Sequence, residues 1–442
     1  MGLVPPAFAP EQHRSAMTRP EHVRSYYAAT AVGAPDCPAL QGDIEADVCV
    51  IGAGYTGVST ALNLAERGYS VVVLEAARVG WGASGRNGGQ ICSGYAPSMR
   101  KIASWVGVED AKRLWDMAEE AKSIIRERVE RHAIACDLKP GYLHGAVKER
   151  DMPELQADLD LLRERHGYGE ARLVDRGEIR SLVGTDIYHG GVYDRGGGHL
   201  HPLNYNLGLA RAAIAAGARI FEDSRVDSID LGTKPRARTA QGSVTARHLV
   251  LCGNAYMGDL VPAIRRKIMP VGTYIAATEP LGENRARALI PSDAAVSDTK
   301  FVLDYYRLTA DRRLLFGGRV SYTTLPPPNL SQAMRRSMLN VYPNLTDVGF
   351  EHLWGGNVAI TVERTPHIGR LGGNIYFAHG FSGMGVALTG VAGKVMAEAI
   401  AGTAERFDVF TRLPHTTFVG GKMLRTPMLA LAMLWYRMRD WL

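Results

Sequence analysis

Residues 47–95 read DVCVIGAGYTGVSTALNLAERGYSVVVLEAARVGWGASGRNGGQICSGY, and this stretch decides the fold. The apolar run at residues 48–51 predicts a buried strand, and three glycines in GxGxxG spacing follow it directly. The next apolar residues recur at helical spacing until Gly68, and a second apolar run at residues 71–74 predicts another strand. A strand, a glycine turn, a helix and a second strand in this order are typical of a βαβ unit that binds a dinucleotide.

Each glycine of the turn, and the acid that ends the second strand, has its own use in dinucleotide binding. Gly52 permits the tight turn, Gly54 lets the backbone approach a pyrophosphate, and Gly57 lets the helix pack closely on the strand. Glu75 lies 23 positions after Gly52, where its carboxylate accepts hydrogen bonds from ribose hydroxyls and repels the extra phosphate of NADP. An ordinary tight turn is the alternative, but it leaves Glu75 unexplained. The predicted contacts from this unit are Gly52, Ala53, Gly54, Tyr55, Thr56, Gly57, Glu75 and Ala76.

A second glycine-rich stretch, GWGASGRNGGQ at residues 80–90, follows the βαβ unit. Such a stretch can place many backbone N–H groups along a ligand. We interpret Asn87 and Gln90 as polar groups on the active side of this loop, since the loop should pass the reactive ring of the cofactor. The predicted cofactor contacts from the loop are Ser84, Gly85, Arg86, Asn87, Gly88 and Gly89.

With these two stretches, the sequence resembles the D-amino-acid oxidase and glycine oxidase class of FAD enzymes. The form SGRNGGQ at residues 84–90 is similar to the gamma-glutamylputrescine oxidase branch of that class. The resemblance covers about residues 25–442 and implies that FAD is the cofactor. Its further motifs are SYYAA at 25–29, GGHLHPLN at 197–204, LDYYRLTADRRLLFGG at 303–318, NIYFAHGFSGMGV at 374–386 and ERFDVFTRLPH at 405–415.

The resemblance also implies contacts far along the chain from the first glycine turn. It places a backbone contact to the adenine at Val226, and it places the strand end at Gly253 under the dinucleotide. A last glycine turn leads into an apolar helical run at residues 386–400, whose N-terminus can stabilise negative charge on the flavin. An ordinary strand-to-helix turn is the alternative. The predicted contacts of this last turn are Gly380, Gly383, Met384, Gly385 and Val386.

Because these contacts are scattered, the two expected domains must each be discontinuous. The predicted fold class is α/β, with a Rossmann-like FAD-binding domain and a discontinuous, mixed-sheet α+β substrate domain like that of glycine oxidase. The glycine-rich residues 190–198 are interpreted as a turn that closes the first substrate-domain segment. The predicted limits are an N-terminal arm at 1–45, the FAD-binding domain at 46–134, 199–262 and 356–422, the substrate domain at 135–198 and 263–355, and an apolar, basic C-terminal helix at 423–442.

The class that the sequence resembles removes hydride from a carbon that bears an amine. The predicted substrate is gamma-glutamylputrescine or a related amine, which gives an aldehyde, ammonia and reduced flavin, with hydrogen peroxide if oxygen is the acceptor. One alternative is an oxidase or dehydrogenase of imino or amino acids such as pipecolate, proline or sarcosine. Another is a non-catalytic FAD-carrying subunit of an electron-transfer complex.

The candidate catalytic residues are Tyr305, Arg307, Trp354, Asn87 and Gln90. Tyr305 and Arg307 share a strand face at period two, and an arginine fork suits a substrate carboxylate. Trp354 is a candidate wall of the flavin cavity. An outward-facing surface arginine and ordinary aromatic core packing are the alternatives.

The charge and the cysteine and histidine pattern of the chain limit the kinds of partner and cofactor attachment that are expected. A net charge of +6, spread along the chain, comes with no nucleic-acid module, so no nucleic-acid partner is expected. Five cysteines without CxxC or zinc spacing favour a reducing cytoplasm and no metal site, and the pair His199 and His201 lacks acidic neighbours. We predict non-covalent FAD, because residues 354–364 hold no cysteine and residues 80–90 hold no histidine.

The apolar and basic tail at residues 423–442 is the one candidate contact with a membrane. Its uninterrupted apolar run is shorter than the roughly 20 residues of a spanning helix. Peripheral contact with a membrane surface, as in a dehydrogenase that reduces quinone, is possible for such a tail. A helix packed on the fold or on a partner is the favoured interpretation.

Overall fold

The computed structural model describes residues 21–321 and 327–418, with the backbone alone for residues 319–321. Within them, seventeen strands and twelve α-helices form. The strands are β1 Gly42–Ile51, β2 Val71–Leu74, β3 Gln90–Ile91, β4 Lys139–Ala146, β5 Ala171–Asp175, β6 Gly190–His199, β7 Arg219–Phe221, β8 Ser228–Asp230, β9 Arg236–Thr239, β10 Gly242–Leu251, β11 Met269–Thr278, β12 Ala295–Asp298, β13 Tyr305–Leu308, β14 Leu314–Ser321, β15 Phe350–Ile360, β16 His367–Leu371 and β17 Ile375–His379. The helices are α1 Tyr26–Ala29, α2 Tyr55–Ala65, α3 Met99–Val106, α4 Val108–Arg131, α5 Met152–His166, α6 Arg176–Leu182, α7 Pro202–Ala215, α8 Pro262–Arg265, α9 Glu283–Leu289, α10 Leu330–Val341, α11 Gly385–Ile400 and α12 Glu405–Thr411.

The first sheet has the strand order β16-β17-β10-β1-β2-β7, with the hairpin β8–β9 attached to β10. From β17 to β7 every neighbouring pair is parallel, and β16 is antiparallel at the edge. All four residues of β2 are buried, as expected of a parallel strand that is covered on both faces. Helices α2, α4, α7 and α11 pack together on one side of this sheet.

The second sheet has the strand order β15-β11-β14-β13-β12-β4-β6-β3, with β5 paired to β6. Its pairs are antiparallel except for β12 with β4. Tyr306 and Phe316 belong to a separate core on one face, where they stack against each other and pack with Met334 and Met338 of α10. Trp354 on the other face belongs to the core of the first sheet, so the two sheets meet there.

Three sequence interpretations of chain organisation need correction. Residues 190–198 do not form a turn, because they lie within strand β6. Glycine is needed there for close approach of neighbouring strands: a Cβ on Gly191 would lie 2.4 Å from the carbonyl oxygen of His144. The domain limit between 355 and 356 falls inside β15, and β3, assigned to the FAD-binding segment 46–134, pairs with the second sheet.

The ends of the chain are only partly described. Residues 1–20 of the predicted arm and the whole predicted C-terminal helix at 423–442 lie outside the described residues. Residues 21–45 include the short helix α1, whose N-cap Ser25 accepts a hydrogen bond from the backbone of Ala28. In the described part of the chain no single helix has the length and apolar character to cross a membrane; only the sharply bent pair α11 and α12 meets that test together, by length and composition.

Candidate active site

A cleft opens where the carboxyl ends of β1, β2, β10 and β17 approach β15 of the second sheet. It contains about 1260 Å³ that protein atoms do not fill, part of it open to solvent. The carboxyl edge of a parallel sheet is the usual place for a ligand in this kind of fold. The predicted cofactor residues that line the cleft are Gly52, Gly54, Tyr55, Thr56, Glu75, Ala76, Ser84, Asn87, Val226, Gly253, Gly383, Gly385 and Val386. The predicted ones that do not line it are Ala53, Gly57, Gly85, Arg86, Gly88, Gly89, Gly380 and Met384.

The first glycine turn brings the chain through a space that no side chain can share. Gly52 has a φ of +104°, and a Cβ there would lie 3.1 Å from the backbone of Cys252. A Cβ on Gly57 would lie 1.9 Å from the carbonyl oxygen of Gly52, so α2 can pack against the turn only with glycine at this position. Gly57 therefore shapes the cleft without lining it.

The start of α2 is joined to the glycine-rich loop by Ser84. Gly54 is the N-cap of α2 and has no side chain to satisfy the first free N–H groups of the helix. The hydroxyl oxygen of Ser84 accepts a hydrogen bond of 2.9 Å from the Tyr55 N–H. This contact brings both predicted pyrophosphate-binding stretches to one end of the cleft.

Glu75 faces the same end of the cleft. Its carboxylate accepts hydrogen bonds of 2.7 Å from Ala53 N–H and 3.0 Å from Ala77 N–H. Burial raises the pKa of Glu75 above its usual value, which these two hydrogen bonds counteract. A carboxylate has about four lone-pair sites, so acceptor capacity remains for a ribose hydroxyl.

The glycine-rich loop is held in shape by its own side chains. The Asn87 amide donates to the carbonyl oxygens of Ala83 and Ser84, both at 3.0 Å, and its oxygen accepts from Gly89 N–H at 2.8 Å. Asn87 thus both lines the cleft and holds the loop in shape. Arg86 donates to the carbonyl oxygen of Trp81, and its guanidinium lies 4.2 Å from the centre of the Trp81 ring.

Arg307 lies beneath this loop and not in the cleft. Its side chain is 3% exposed, and it donates to the carbonyl oxygens of Gly88, Leu200 and Leu308 and to the hydroxyl of Tyr27. Among the described residues no carboxylate pairs with it, and its donors are engaged by these four oxygens. The contacts do not support the predicted role of holding a substrate carboxylate; they support a role in fixing the loop.

The other predicted catalytic residues belong to a line of directly paired residues on the second sheet. From strand to strand, this cross-sheet row consists of His144, Ser297, Tyr305, Gly317, Ile275 and Trp354. Residues paired in this way point to the same face of a sheet. Two members lie over the loop: Trp354 donates from its ring nitrogen to the Arg86 carbonyl oxygen at 3.0 Å, and a Cβ on Gly88 would lie 2.8 Å from the Tyr305 ring.

Within the row, Tyr305 is partly exposed and Trp354 is fully buried. Tyr305 lies across the glycine of the next strand, since a Cβ on Gly317 would lie 2.1 Å from its ring. Gln90 ends the loop beside the row, where its amide donates to the carbonyl oxygen of Val296 at 2.9 Å. None of these three predicted residues lines the cleft itself, although all border the loop that does.

The last glycine turn enters the cleft from the far end of the chain. Gly380 and Gly383 have φ values of +72° and +97°, and α11 begins at Gly385 with its N-terminus at the cleft. The Gly380 N–H donates to the side-chain oxygen of Asn254 at 3.0 Å. Asn254 itself has a φ of +46° and joins this turn to the end of β10.

Comparison with known proteins decides the family. The model of the family described as FAD dependent oxidoreductase matches residues 47–399. The chain belongs to this family of FAD-dependent oxidoreductases. It is 44% identical to "Gamma-glutamylputrescine oxidoreductase" of Escherichia coli (strain K12), over 95% of this chain and 99% of that protein. It is 43% identical to "Probable oxidoreductase OrdL" of Haemophilus influenzae, over 95% and 98%.

Solved structures support the same fold. Glycine oxidase from Geobacillus kaustophilus superposes with a TM-score of 0.71 over 84% of this chain and 99% of that one, at 20% identity. L-proline dehydrogenase from P. horikoshii gives the same TM-score at 21% identity. The predicted fold class is therefore confirmed, as are the cofactor FAD and the assignment as a flavin-dependent oxidoreductase.

The residues present fit FAD. One continuous cleft is lined by Val226 and Glu75 as well as by Gly383 and the N-terminus of α11, so the predicted contacts with the adenine, the ribose and the flavin share a single cavity. Two helix N-termini, those of α2 and α11, open into it and favour negative charge there. Among the described residues no group of histidines, cysteines and acids is arranged to hold a metal ion.

Several lining residues were not predicted from the sequence. Trp81 and Tyr256 meet edge to face at 5.5 Å on one side of the cleft, and Arg225 lies beside Val226. Asn254, next to the predicted Gly253, carried a usable signal, because asparagine tolerates a positive φ and often ends a strand at a turn. Trp81 and Tyr256 carried none, since their meeting depends on the packing of distant segments.

Proposed function

We propose that this enzyme oxidises the primary amine of gamma-glutamylputrescine. The observation that carries the proposal is 44% identity to a protein named gamma-glutamylputrescine oxidoreductase, over nearly the full length of both chains. Here the loop at residues 84–90 is closed on itself by Asn87 and clamped from below by Arg307.

Bound FAD supplies the oxidising power, accepting hydride from the carbon that bears the amine. The substrate loses a hydride and a proton, and water then converts the imine to an aldehyde and ammonia, so no protein nucleophile is required. The protein has to orient the amine and keep bulk water from the reacting carbon. The partly open ring of Tyr305 beside the loop is suited to this task, and the buried Trp354 supports the loop from behind through its hydrogen bond to the Arg86 carbonyl oxygen.

The flavin is proposed to be held without a covalent bond. Cys252 lines the cleft, but burial raises the pKa of its thiol far above the usual value, and a protonated thiol is a poor nucleophile. No histidine contributes to the described lining of the cleft. Acid denaturation should therefore release the yellow colour into the supernatant. Flavin fluorescence that migrates with the polypeptide on a denaturing gel would contradict this.

A panel of amines tests the substrate. Under anaerobic conditions, gamma-glutamylputrescine should bleach the flavin faster than putrescine, glycine, sarcosine, proline or pipecolate. Fastest bleaching by a cyclic imino acid such as pipecolate would replace the proposal with an imino acid oxidase or dehydrogenase. A flavin that no amine bleaches would favour a non-catalytic FAD-carrying subunit.

The electron acceptor and the location need separate tests. The acceptor is oxygen or another oxidant: hydrogen peroxide release during turnover would identify oxygen, and reoxidation by a quinone but not by oxygen would identify a quinone. The five free cysteines favour the cytoplasm, where thiols stay reduced. Sedimentation with liposomes, with and without residues 423–442, tests whether the tail brings the enzyme to a membrane surface.

A further inference from the structure

The cross-sheet row continues past the glycine-rich loop as a chain of polar side chains. The Ser297 hydroxyl lies 2.9 Å from Nδ1 of His144 and 2.5 Å from the hydroxyl of Tyr142. Gln90, which ends the glycine-rich loop, donates to the carbonyl oxygen of Val296, the residue next to Ser297. The polar chain Tyr142–Ser297–His144 therefore runs beside the end of the loop that borders the flavin cleft.

One end of this chain is open. Nε2 of His144 has no hydrogen-bond partner among residues 21–321 and 327–418. It is absent from the fully buried polar atoms that lack a partner there, so this nitrogen is accessible. The His144 ring is partly exposed although β4 lies in the interior of the sheet. Ser297, by contrast, is only 2% exposed, so the polar chain meets open space at the histidine.

The order of donors in the chain determines what the open end offers. Two donor orders fit these distances: Tyr142 to Ser297 to Nδ1 places the imidazole proton on Nε2, and the reverse order places it on Nδ1. We take the first order, in which the open end of the polar chain is a donor. Burial lowers the pKa of His144 to about 4 despite the nearby carboxylate of Asp151, so the ring is neutral at physiological pH. A neutral N–H donor in a partly enclosed place suits a neutral carbonyl oxygen better than a carboxylate, which would be left without a balancing charge.

We propose that His144 is a specificity residue whose Nε2–H donates a hydrogen bond to the amide carbonyl oxygen of an N-acylated diamine. The inference deepens the proposed function and rests on it, because gamma-glutamylputrescine has such an amide between its reacting amine and its amino-acid end. An unacylated diamine has no group for this donor. The subsite would therefore distinguish acylated from free diamines, while the chemistry at the amine stays the same.

The test compares two kinds of substrate in three variants. The substrates are gamma-glutamylputrescine and N-acetylputrescine, which have the amide, and 1,6-diaminohexane, which lacks it. His144→Leu removes the donor, His144→Gln keeps an amide N–H near the Nε2 position, and His189→Leu changes a histidine that lies just before β6 and outside the row. Anaerobic flavin reduction gives the half-saturation concentration and the limiting rate for each pair.

For His144→Leu we expect the half-saturation concentration of both amides to rise roughly 3- to 10-fold, as for loss of one neutral hydrogen bond. The value for 1,6-diaminohexane should stay unchanged, His144→Gln should restore most of the loss, and His189→Leu should match the wild type. An equal change for all three amines, or none, would overturn the subsite. A wild-type flavin that gamma-glutamylputrescine does not reduce would overturn the proposed function as well.

A variant that fails to keep its flavin would not end the test. Ser297→Ala leaves the His144 ring in place but removes the group that orients its proton. We expect a smaller rise of roughly 2- to 5-fold, again for the amides alone. Unchanged discrimination in Ser297→Ala, with the flavin retained, would overturn the proposal.

Discussion

The candidate site has a nucleotide wall inside the cleft and a proposed substrate wall beside the glycine-rich loop, and the two are built from different parts of the chain. The nucleotide wall consists of glycines and backbone groups at strand ends, such as Gly52 and the N-terminus of α11, with Gly57 packed directly behind the turn. The proposed substrate wall is the cross-sheet row, whose residues come from six strands between His144 and Trp354. A backbone wall admits almost no substitution and serves one ligand, whereas a side-chain wall can change its specificity residue by residue.

The largest effect should come from filling the backbone wall. The Cβ of a valine at position 57 would lie 1.9 Å from the Gly52 carbonyl oxygen. This clash cannot be relieved by a side-chain rotation, because the atom that it meets belongs to the backbone. We expect no flavin in the purified protein, measured as absorbance at the flavin band relative to protein. Gly373→Ala is the control, because a Cβ there meets nothing within 4 Å. Normal flavin content in Gly57→Val would show that the turn is not tightly packed.

How much of each wall could be read from the sequence follows from the same difference. Gly52, Gly54 and Glu75 lie within one local βαβ pattern, so spacing alone predicted their place. The row brings together His144 and Ser297 through strand pairing across more than one hundred positions, and no local pattern reports such a register. The sequence therefore predicted the cofactor and the fold, but not the row as a whole.

Arg307 shows most clearly what the sequence alone could not predict. Its period-two relation to Tyr305 was correct, since both contact the glycine-rich loop at Gly88. Its partners are nevertheless the carbonyl oxygens of Gly88, Leu200 and Leu308. The sequence around an arginine in a strand does not indicate such partners. A role that depends on what another segment presents to a side chain can be found only once the segments are placed.

The next largest effect tests Arg307 as a clamp between the walls. Arg307→Leu removes the donor from the buried carbonyl oxygens of Leu200 and Leu308 and from the partly buried one of Gly88, at about 1 kcal/mol each, so the free energy of unfolding should fall by about 3 kcal/mol. Flavin retention should fall with it, and Arg307→Lys should restore part of both. Denaturant unfolding and flavin content are the measurements.

The control for that variant is Arg285→Leu, which removes a half-exposed ion pair with Asp347 and should cost less than about 1 kcal/mol. If Arg307 instead holds a substrate carboxylate, Arg307→Lys will keep its flavin and stability. It will then lose affinity only for amines that carry a carboxylate. That outcome would restore the role predicted from the sequence.

Acid should weaken the nucleotide wall next. His367 and His379 share a hydrogen bond of 2.8 Å just before the last glycine turn, with the ring of His415 at 4.2 Å and Lys267 and Glu363 nearby. Burial is the main cause that lowers the pKa of His367 to about 2 and of His379 to about 3. In the unfolded chain both titrate near their ordinary pKa of about 6.5.

Because the folded pKa values are lowered, this part of the stability is complete above pH 6.5 and is lost as the pH falls below it. Each histidine contributes up to about 1.4 kcal/mol per pH unit in that range. His367→Gln keeps a hydrogen-bonding side chain but does not titrate, so its unfolding free energy should fall less steeply between pH 6 and pH 5. Equal slopes for variant and wild type would exclude the pair as the cause.

The smallest effect is expected at Gly54, where the backbone wall meets a side chain. A Cβ on Gly54 would lie 2.8 Å from the Ser84 hydroxyl oxygen, but the φ of −80° is ordinary and the hydroxyl can rotate away. Gly54→Ala should therefore cost only the hydrogen bond from Tyr55 N–H, about 1 kcal/mol of FAD affinity. Titration of the flavin-free protein with FAD measures this as a roughly 5-fold weaker dissociation constant.

Ser84→Ala removes the same hydrogen bond without adding a Cβ at position 54. If the two changes act through that bond alone, the double variant should bind FAD no more weakly than Gly54→Ala, and the effects will not add. Additive losses would mean that the Cβ on Gly54 reaches the pyrophosphate directly. In that case glycine would be required even at this edge of the nucleotide wall. If the losses do not add, the wall accepts one small side chain at position 54, because the Ser84 hydroxyl can rotate away.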